Sequence, residues 1–371
     1  MNERILLLRE HVVLLFIKRV FSEFIERVLL RQAQRAVDDG GNRHARRFHT
    51  RRFTTLTRAD MLGAWKTRWS IGRMGYKIDP GLYAVGNPNA DSPVLVSANY
   101  KLTFDTLRKE LAGMDCWLLI LDTKGVNVWC AAGKGTFGTA ELVRRIEDTE
   151  LASVVSHKRL IIPQLGASGV NGLEVSRRTG FGIAFGPVRA KDIKAYIESG
   201  FVKTKEMRRV EFSAWDRLIL TPIEIVTAAR HAVPVLAVLF LINLFAARPF
   251  GLREFILYAG AALMGTFATP LLLPYIPVKS FALKGAILGF IWTAAAIAFF
   301  GWYARATLLA LLGYLLICPA ISAWYAMNFT GASTYTSPSG VMKEMKAALP
   351  FIVGAAVSGD VLLILYHIFG L

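Results

Sequence analysis

Five long apolar runs crowd the C-terminal part of the chain, at about residues 231–247, 255–276, 280–300, 306–327 and 349–369. A bilayer core about 30 Å thick takes roughly 20 apolar helical residues to cross. Each run approaches that length, and the first extends back towards Ile223. Hydrocarbon leaves no partner for a free backbone N–H or C=O, so such runs must be helical. The sequence therefore predicts an all-α transmembrane domain of five helices over 223–371. Asp360 lies inside the last run; a carboxyl there is costly in lipid and is expected to face the bundle interior or a polar cavity. This half carries most of the surplus that makes the chain 54% hydrophobic, with a mean hydropathy of +0.41.

The charge gathers at the other end. The net charge is +17, and residues 1–77 hold 17 Lys and Arg against 7 Asp and Glu. A basic flank beside a hydrophobic domain fits attraction to anionic lipid and retention in the cytoplasm. No nucleic-acid module accompanies the charge, so no nucleic-acid partner is expected. Residues 1–52 read as a basic amphipathic N-terminal extension and linker. Leu6, Val13, Ile17, Val20, Phe24 and Val28 recur at helical spacing, but HVVLLFI is too short to cross a bilayer, and Arg9 and Glu10 spoil a signal-peptide core. An interfacial helix on the membrane and a packing helix of the soluble part both fit.

With the basic domain inside, five crossings put the C-terminus outside. Lys279, Lys343 and Lys346 then fall inside, and Arg248, Arg253 and Arg305 outside. The expectation is a multi-pass protein of the cytoplasmic (inner) membrane with its soluble domain facing the cytoplasm. The segment 328–348, NFTGASTYTSPSGVMKEMKAA, lies on that same side. It is either a solvated loop or part of a site shared with the soluble domain.

Residues 53–222 form the predicted soluble domain. Strand-like runs at 93–98, 116–122, 159–164 and 181–188 alternate with amphipathic helices at about 102–112, 138–149, 168–178 and 190–199. Near-continuous apolar strands between helices indicate a parallel sheet covered on both faces, an α/β, Rossmann-like fold. The loops SANYKLTFD, DTKGVNVWCAAGKGT, PQLGASGVNG and GPVRAKD follow the strands and converge at the carboxyl edge, where such sheets bind ligands. Four polar, glycine-bearing loops there predict a large ligand with a polar periphery.

The chain has 3 cysteines, too few for a four-thiolate cluster or a disulfide framework. Cys116 and Cys318 sit in apolar runs and read as small hydrophobes. Cys130 sits in GVNVWCAAGKGTFGT. That stretch fails as a phosphate loop, because Val128 stands where the first glycine belongs and Gly135 where Ser or Thr should follow the lysine. Gly133-Lys134-Gly135 with Gly138 gives a G-x-G-x-x-G match, weak by itself. Thiol catalysis needs a base, and His157 is the one histidine in the alternating core. Metal ligation is the third option. A thiolate is a soft donor, and Ala131, Ala132 and Gly133 would leave a short helix bare enough for a flat ligand, with Trp129 closing the pocket.

The segment NVWCAAGKGTFGT, with SANYKLTFDTLRKEL, HKRLIIPQLGASGV, GFGIAFGPVRAKDI, MRRVEF and FTGASTYTSPSGVMKEM, resembles the corrinoid protein of microbial mercury methylation (HgcA type). The resemblance covers about residues 54–371, without departure in the cysteine motif; the first 50 residues fall outside it. The soluble domain also resembles the corrinoid subunit of the acetyl-CoA pathway's corrinoid iron–sulfur protein. The resemblance implies a membrane-anchored corrinoid methyltransferase passing a methyl group from methyl-cobalt to Hg(II), as a carbanion equivalent or a radical. Its cofactor would be a cobalt corrinoid of the cobalamin type, base-off, with the Cys130 thiolate as lower axial ligand. Asn127, Val128, Trp129, Ala131, Ala132, Gly133, Lys134 and Gly135 would form the cap around Cys130. Thr103 would touch the corrin or its tail, and Gln164, Gly166, Ala167, Gly169, Gly186 and Pro187 would line the tail's channel. The implied partners are a ferredoxin-like [4Fe–4S] electron donor and a methyltetrahydrofolate-dependent methyl source. Two alternatives stay open: a corrinoid methyl carrier of one-carbon metabolism with another acceptor, and a transporter or sensor whose Rossmann-like domain binds a small ligand.

Overall fold

The structure, a computed structural model, describes residues 49–52, 55–243, 246–247, 249–302 and 306–369. The helix expected within 1–37 lies outside the described residues. The soluble part is built on six strands: β1 (His49–Arg52), β2 (Gly81–Val85), β3 (Val94–Ala98), β4 (Cys116–Leu121), β5 (Arg159–Ile162) and β6 (Gly182–Phe185). Their order across the sheet is β1-β2-β4-β3-β5-β6. β4, β3, β5 and β6 run parallel, while β2 pairs antiparallel with β4, from Gly81 opposite Ile120 to Val85 opposite Cys116. The sheet is therefore mixed rather than wholly parallel. Short β2 extends it beyond β4, with Asp79-Pro80 before it and the turn residues Gly86-Asn87-Pro88 after it.

Seven helices matter to the soluble part and its junction: α1 (Arg58–Arg68), α2 (Lys101–Glu110), α3 (Val128–Gly133), α4 (Thr139–Asp148), α5 (Gly172–Thr179), α6 (Ile193–Glu198) and α7 (Ala214–Asn243). Side chains of successive strand residues point to opposite faces. Val96, Leu119 and Leu121 pack with Leu142, Ile146 and Val175 of α4 and α5, and with Ala131 and Ala132 of α3. Leu95, Leu118 and Ile120 pack on the other face with Phe104 and Leu107 of α2 and with Tyr196 of α6. Helices thus cover both faces. The chain leaves β3 for β4 on one side and later reaches β5 on the other side of β3, so the strand order reverses between β3 and β5. A crevice opens at the carboxyl ends of two such strands. Cys116 lies in this core, and burial first, then the Asp115 charge, pushes its thiol up to about 12.

Five helices are long and apolar enough to cross a membrane: α7, α8 (Leu252–Leu272), α9 (Phe281–Phe299), α10 (Leu308–Asn328) and α11 (Pro338–Phe369). Small residues set their spacing, as expected where helices associate by close packing rather than by escape from water. A Cβ on Gly285 would stand 2.6 Å from the Ser322 carbonyl oxygen, and one on Gly289 would stand 2.9 Å from the Pro319 Cα. The Ser322 hydroxyl donates to the Gly285 carbonyl at 2.7 Å. Buried Lys284 is satisfied by the carbonyls of Leu273 and Ile276.

Two expectations change. Helix α11 starts at Pro338, so Lys343 and Lys346 stand on a helix rather than in a loop. Glu344 ties that early turn to α9 by accepting from the Ser280 hydroxyl at 2.9 Å and the Ala282 N–H at 2.8 Å. Asp360 lies on the exposed side of α11 rather than inside the bundle. Phe329 and Tyr335, just before that helix, pack on Phe212 at the entry to α7.

Candidate functional site

Helix α3, which carries Cys130, is placed by a buried polar hub. Asn99, 1% exposed at the end of β3, accepts through Oδ1 from the Thr123 N–H (3.1 Å), the Thr123 hydroxyl (2.9 Å) and the Gly125 N–H (2.9 Å). Its Nδ2 donates to Asp122 at 3.2 Å. These bonds hold the turn that leads from β4 into α3. Asn127 then caps the helix, its side chain accepting from the Cys130 N–H at 2.9 Å. Caps of this kind satisfy one of the free N–H groups of a helix start. Gly135, at φ +78°, reverses the chain, so that the Thr136 and Phe137 N–H groups both return to the Ala131 carbonyl.

Only one face of α3 is buried. Val128, Ala131 and Ala132 pack into the core, while Trp129, Cys130, Gly133, Lys134 and Gly135 are exposed. A Cβ on Gly133 would meet nothing within 4 Å, so the helix is open beside Cys130.

Next to that face lies a cavity of about 430 Å³ at the crevice between β3 and β5. Thr103, Asn127, Val128, Trp129, Gly186 and Pro187 line it, as do Ser97 and Tyr100 after β3 and Pro163 after β5. Ile219, Leu220 and Ile223 of α7 also line it, so the first of the five long apolar helices begins as a wall of the cavity. Arg189 joins the two parts through Asp216 at 3.1 Å.

The remaining channel residues have other neighbours. Gln164 accepts from Lys203 Nζ at 2.6 Å. Ala167 ends the short turn Gln164–Gly166. A Cβ on Gly166 would stand 2.5 Å from the Phe137 ring, and one on Gly169 would stand 2.1 Å from the Phe137 carbonyl oxygen and 3.1 Å from the Ala132 Cα. These glycines let the loop after β5 close on the back of α3. Helix α5 begins at Gly172 rather than 168, with the Asn171 side chain capping it.

The sequence reading does not reach Asn99, Tyr100, Arg68 or Arg73. The strand-end position of Asn99 was the available signal for the first two. For Arg68 and Arg73, which line the cavity from α1 and the turn after it, the sequence offers only their charge. An ion-pair network fastens α1 to α2 beside them. Asp60 meets Lys101 at 2.5 Å and Arg108 at 2.7 Å, and Asp105 meets the same two cations at 2.6 and 2.8 Å. Burial pushes the Asp60 carboxyl up, but hydrogen bonds from Lys101, Thr57 and Arg108 outweigh it and hold the group well below the ordinary carboxylate range.

Comparison with known proteins bears on this same stretch. A family model for the CO dehydrogenase/acetyl-CoA synthase delta subunit matches residues 68–197. The acetyl-CoA decarbonylase/synthase complex subunit gamma of Methanopyrus kandleri is 36% identical over 134 residues, which are 35% of this chain and 28% of that protein. The subunit of the same name from Archaeoglobus fulgidus is 32% identical over 131 residues, 35% of this chain and 27% of its own length. That from Methanocaldococcus jannaschii is 32% identical over 128 residues, 34% and 26% respectively. The chain thus spans a little over a quarter of each of these relatives. The family match covers β2 to β6, helix α3 and most of the residues that line the cavity, and none of the matches is specific to mercury methylation. The five apolar helices lie outside the matched residues.

Proposed function

We propose that the chain is a membrane-anchored corrinoid protein that carries a methyl group in one-carbon chemistry. The observation that carries this reading is the exposed thiol of Cys130, on a capped helix with an open face whose first residues, Asn127 to Trp129, line a cavity at the strand crossover. The likeness of residues 68–197 to the acetyl-CoA decarbonylase/synthase subunits supports it, and favours the one-carbon reading over one specific to mercury.

The residues present fit such a cofactor. The Cys130 thiol, a soft donor, is exposed, the helix face at Gly133 is open, and Tyr100, whose buried hydroxyl has no protein partner, lines the cavity. A cobalt corrinoid supplies a metal centre able to accept and hand on a methyl group. Cys130 would hold it through its sulfur, a strong soft donor that would raise electron density at the metal. Asn127 fixes the first turn of α3 so that Cys130 keeps one position, and Asn99 fixes the turn before it. Thr103, Gly186 and Pro187 would border the tail, while Gly166 and Gly169 back the cap from behind. The apolar helices would anchor this site at the inner face of the cytoplasmic membrane. A ferredoxin-like [4Fe–4S] protein would supply electrons, and a methyltetrahydrofolate-dependent system the methyl group.

The finer reading takes Hg(II) as acceptor and methylmercury as product. What favours it is the stretch Asn127–Gly135, which resembles the mercury-methylation motif without departure, and a region of five apolar helices that lies outside the residues the family model matches. The purified full chain, loaded anaerobically with methylcobalamin, separates the two. Methylmercury formed from Hg(II) and lost in Cys130→Ala supports the finer reading. Corrinoid binding without methylmercury, but with methyl transfer to another acceptor, leaves the one-carbon carrier. Failure to bind any corrinoid overturns both.

A further inference from the structure

Arg68 and Arg73 in the cavity wall have no role in the reading so far, and the unpaired Tyr100 hydroxyl has been given no partner. Tyr100 lines the cavity and is 4% exposed; its hydroxyl is shielded from solvent and makes no hydrogen bond. Buried hydroxyls are nearly always paired, so this orphan, on a residue that lines a cavity, is exceptional. Arg68 and Arg73 line the same cavity, and the Arg73 guanidinium carbon stands 5.5 Å from the centre of the Tyr100 ring. Among the described residues neither guanidinium meets a carboxylate, although the neighbouring cations Lys101 and Arg108 are each bound by two. No Asp or Glu lines the cavity. Burial draws the Arg68 group down from its ordinary value; Tyr100 opposes that and Arg73 adds to it. Two half-buried cations without counter-ions and one unpaired hydroxyl together describe a place for an oxyanion.

We propose that Tyr100, Arg68 and Arg73 form an oxyanion subsite, and that it takes the phosphodiester of the nucleotide tail of the corrinoid. This rests on the corrinoid reading above. The phosphodiester is the one anionic group on a corrinoid whose other side arms are neutral amides. The rest of the wall, including Leu95, Ile161, Ile193 and Ile219, is apolar and suits the ring that follows the phosphate. The subsite makes the protein selective for corrinoids that carry a complete tail.

The test is a binding titration, followed by absorbance, of the full chain in detergent with cobalamin and with cobinamide, which lacks the phosphodiester and base. The wild type should prefer cobalamin by roughly 10–100-fold, the range expected for charge-assisted hydrogen bonds. Arg73→Gln and Tyr100→Phe should shrink that ratio several-fold while leaving cobinamide affinity unchanged. Tyr100→Phe removes only an unpaired hydroxyl, so its thermal midpoint should equal or exceed that of the wild type; a lost ratio in a fully stable protein separates recognition from folding. Inorganic phosphate should weaken cobalamin binding in the wild type and leave Arg73→Gln unaffected. If both corrinoids bind and the variants keep the wild-type ratio, the subsite is overturned while the corrinoid reading stands. If phosphate binds and the wild type shows no preference for the tail, the subsite serves a free anion and the tail assignment falls. If neither corrinoid binds, the corrinoid reading itself fails.

Discussion

Replacing Asn99 with leucine tests whether the cap helix is held from below. The side chain is almost fully buried, and its loss removes four hydrogen bonds. The Thr123 N–H keeps the Leu121 carbonyl at 3.1 Å, and the Thr123 hydroxyl keeps the Val126 carbonyl at 2.6 Å. The Gly125 N–H is left with nothing, and Asp122 retains the Lys124 N–H at 3.1 Å. One orphaned donor and two weakened bonds come to about 2 kcal/mol. Spent on local opening of the turn before α3, that is about 30-fold faster amide exchange. Hydrogen-exchange mass spectrometry should find the increase in peptides spanning 122–135, with peptides of α5 unchanged. Asn99→Asp keeps an acceptor for Thr123 and Gly125 but sets a second carboxylate against Asp122. Like charges raise the pKa of such a pair, so the turn should tighten as pH falls and loosen as it rises. Unchanged exchange over 122–135 in Asn99→Leu would show that Asn99 does not hold the cap.

Two glycines of the cap region should respond in opposite ways. Gly169→Ala forces a Cβ to 2.1 Å from the Phe137 carbonyl oxygen, where only backbone can give way, and should cost about 1–3 kcal/mol of stability in a thermal or denaturant scan. Gly133→Ala meets open space and should leave stability unchanged or raise it slightly, yet weaken corrinoid binding roughly tenfold by filling the face beside Cys130. The Asp60 network should make the fold acid-sensitive. Because the folded-state pKa of Asp60 is depressed, its contribution is present above the unfolded value of about 4 and is lost as pH falls below it. Asp60→Asn should lower the unfolding midpoint at pH 7 and flatten its decline between pH 5 and 3; equal slopes in both proteins would remove Asp60 as the cause.

Strands β3, β4, β5 and β6 are legible in the sequence because each is a near-continuous apolar run, with β3 and β4 buried on both faces and the edge strand β6 only partly covered. Short β2 carries the same kind of signal in GLYAV, but it pairs antiparallel, and nothing local in five residues announces direction. The five long apolar helices declare themselves by length. The early turns of α11 do not, since Lys343, Glu344 and Lys346 make that stretch polar, and its tie to α9 spans more than 60 positions. The cap helix was readable from its small residues and its cysteine. The hub that seats it was not, because Asn99 acts on residues 23 to 26 positions away, a distance that only the β3–β4 pairing closes. Gly166 and Gly169 show a related limit. A glycine in a loop reads equally well as a ligand-facing or a packing position, and here the neighbours of the missing Cβ are the Phe137 ring, the Phe137 carbonyl and Ala132. Arg68, Arg73 and Tyr100 lie within 33 positions of one another yet meet only through the fold, so their pattern is spatial rather than sequential.

The central claim is that Cys130 is the protein's ligand to a cobalt corrinoid. The visible absorption spectrum of the full chain, loaded anaerobically with cobalamin and compared with Cys130→Ala, tests it most directly. The account predicts a base-off, thiolate-ligated spectrum in the wild type that disappears in the variant, with Cys130→His retaining binding but showing a different spectrum. A wild-type protein that takes up no cobalamin, or a Cys130→Ala spectrum identical to the wild type, would contradict it.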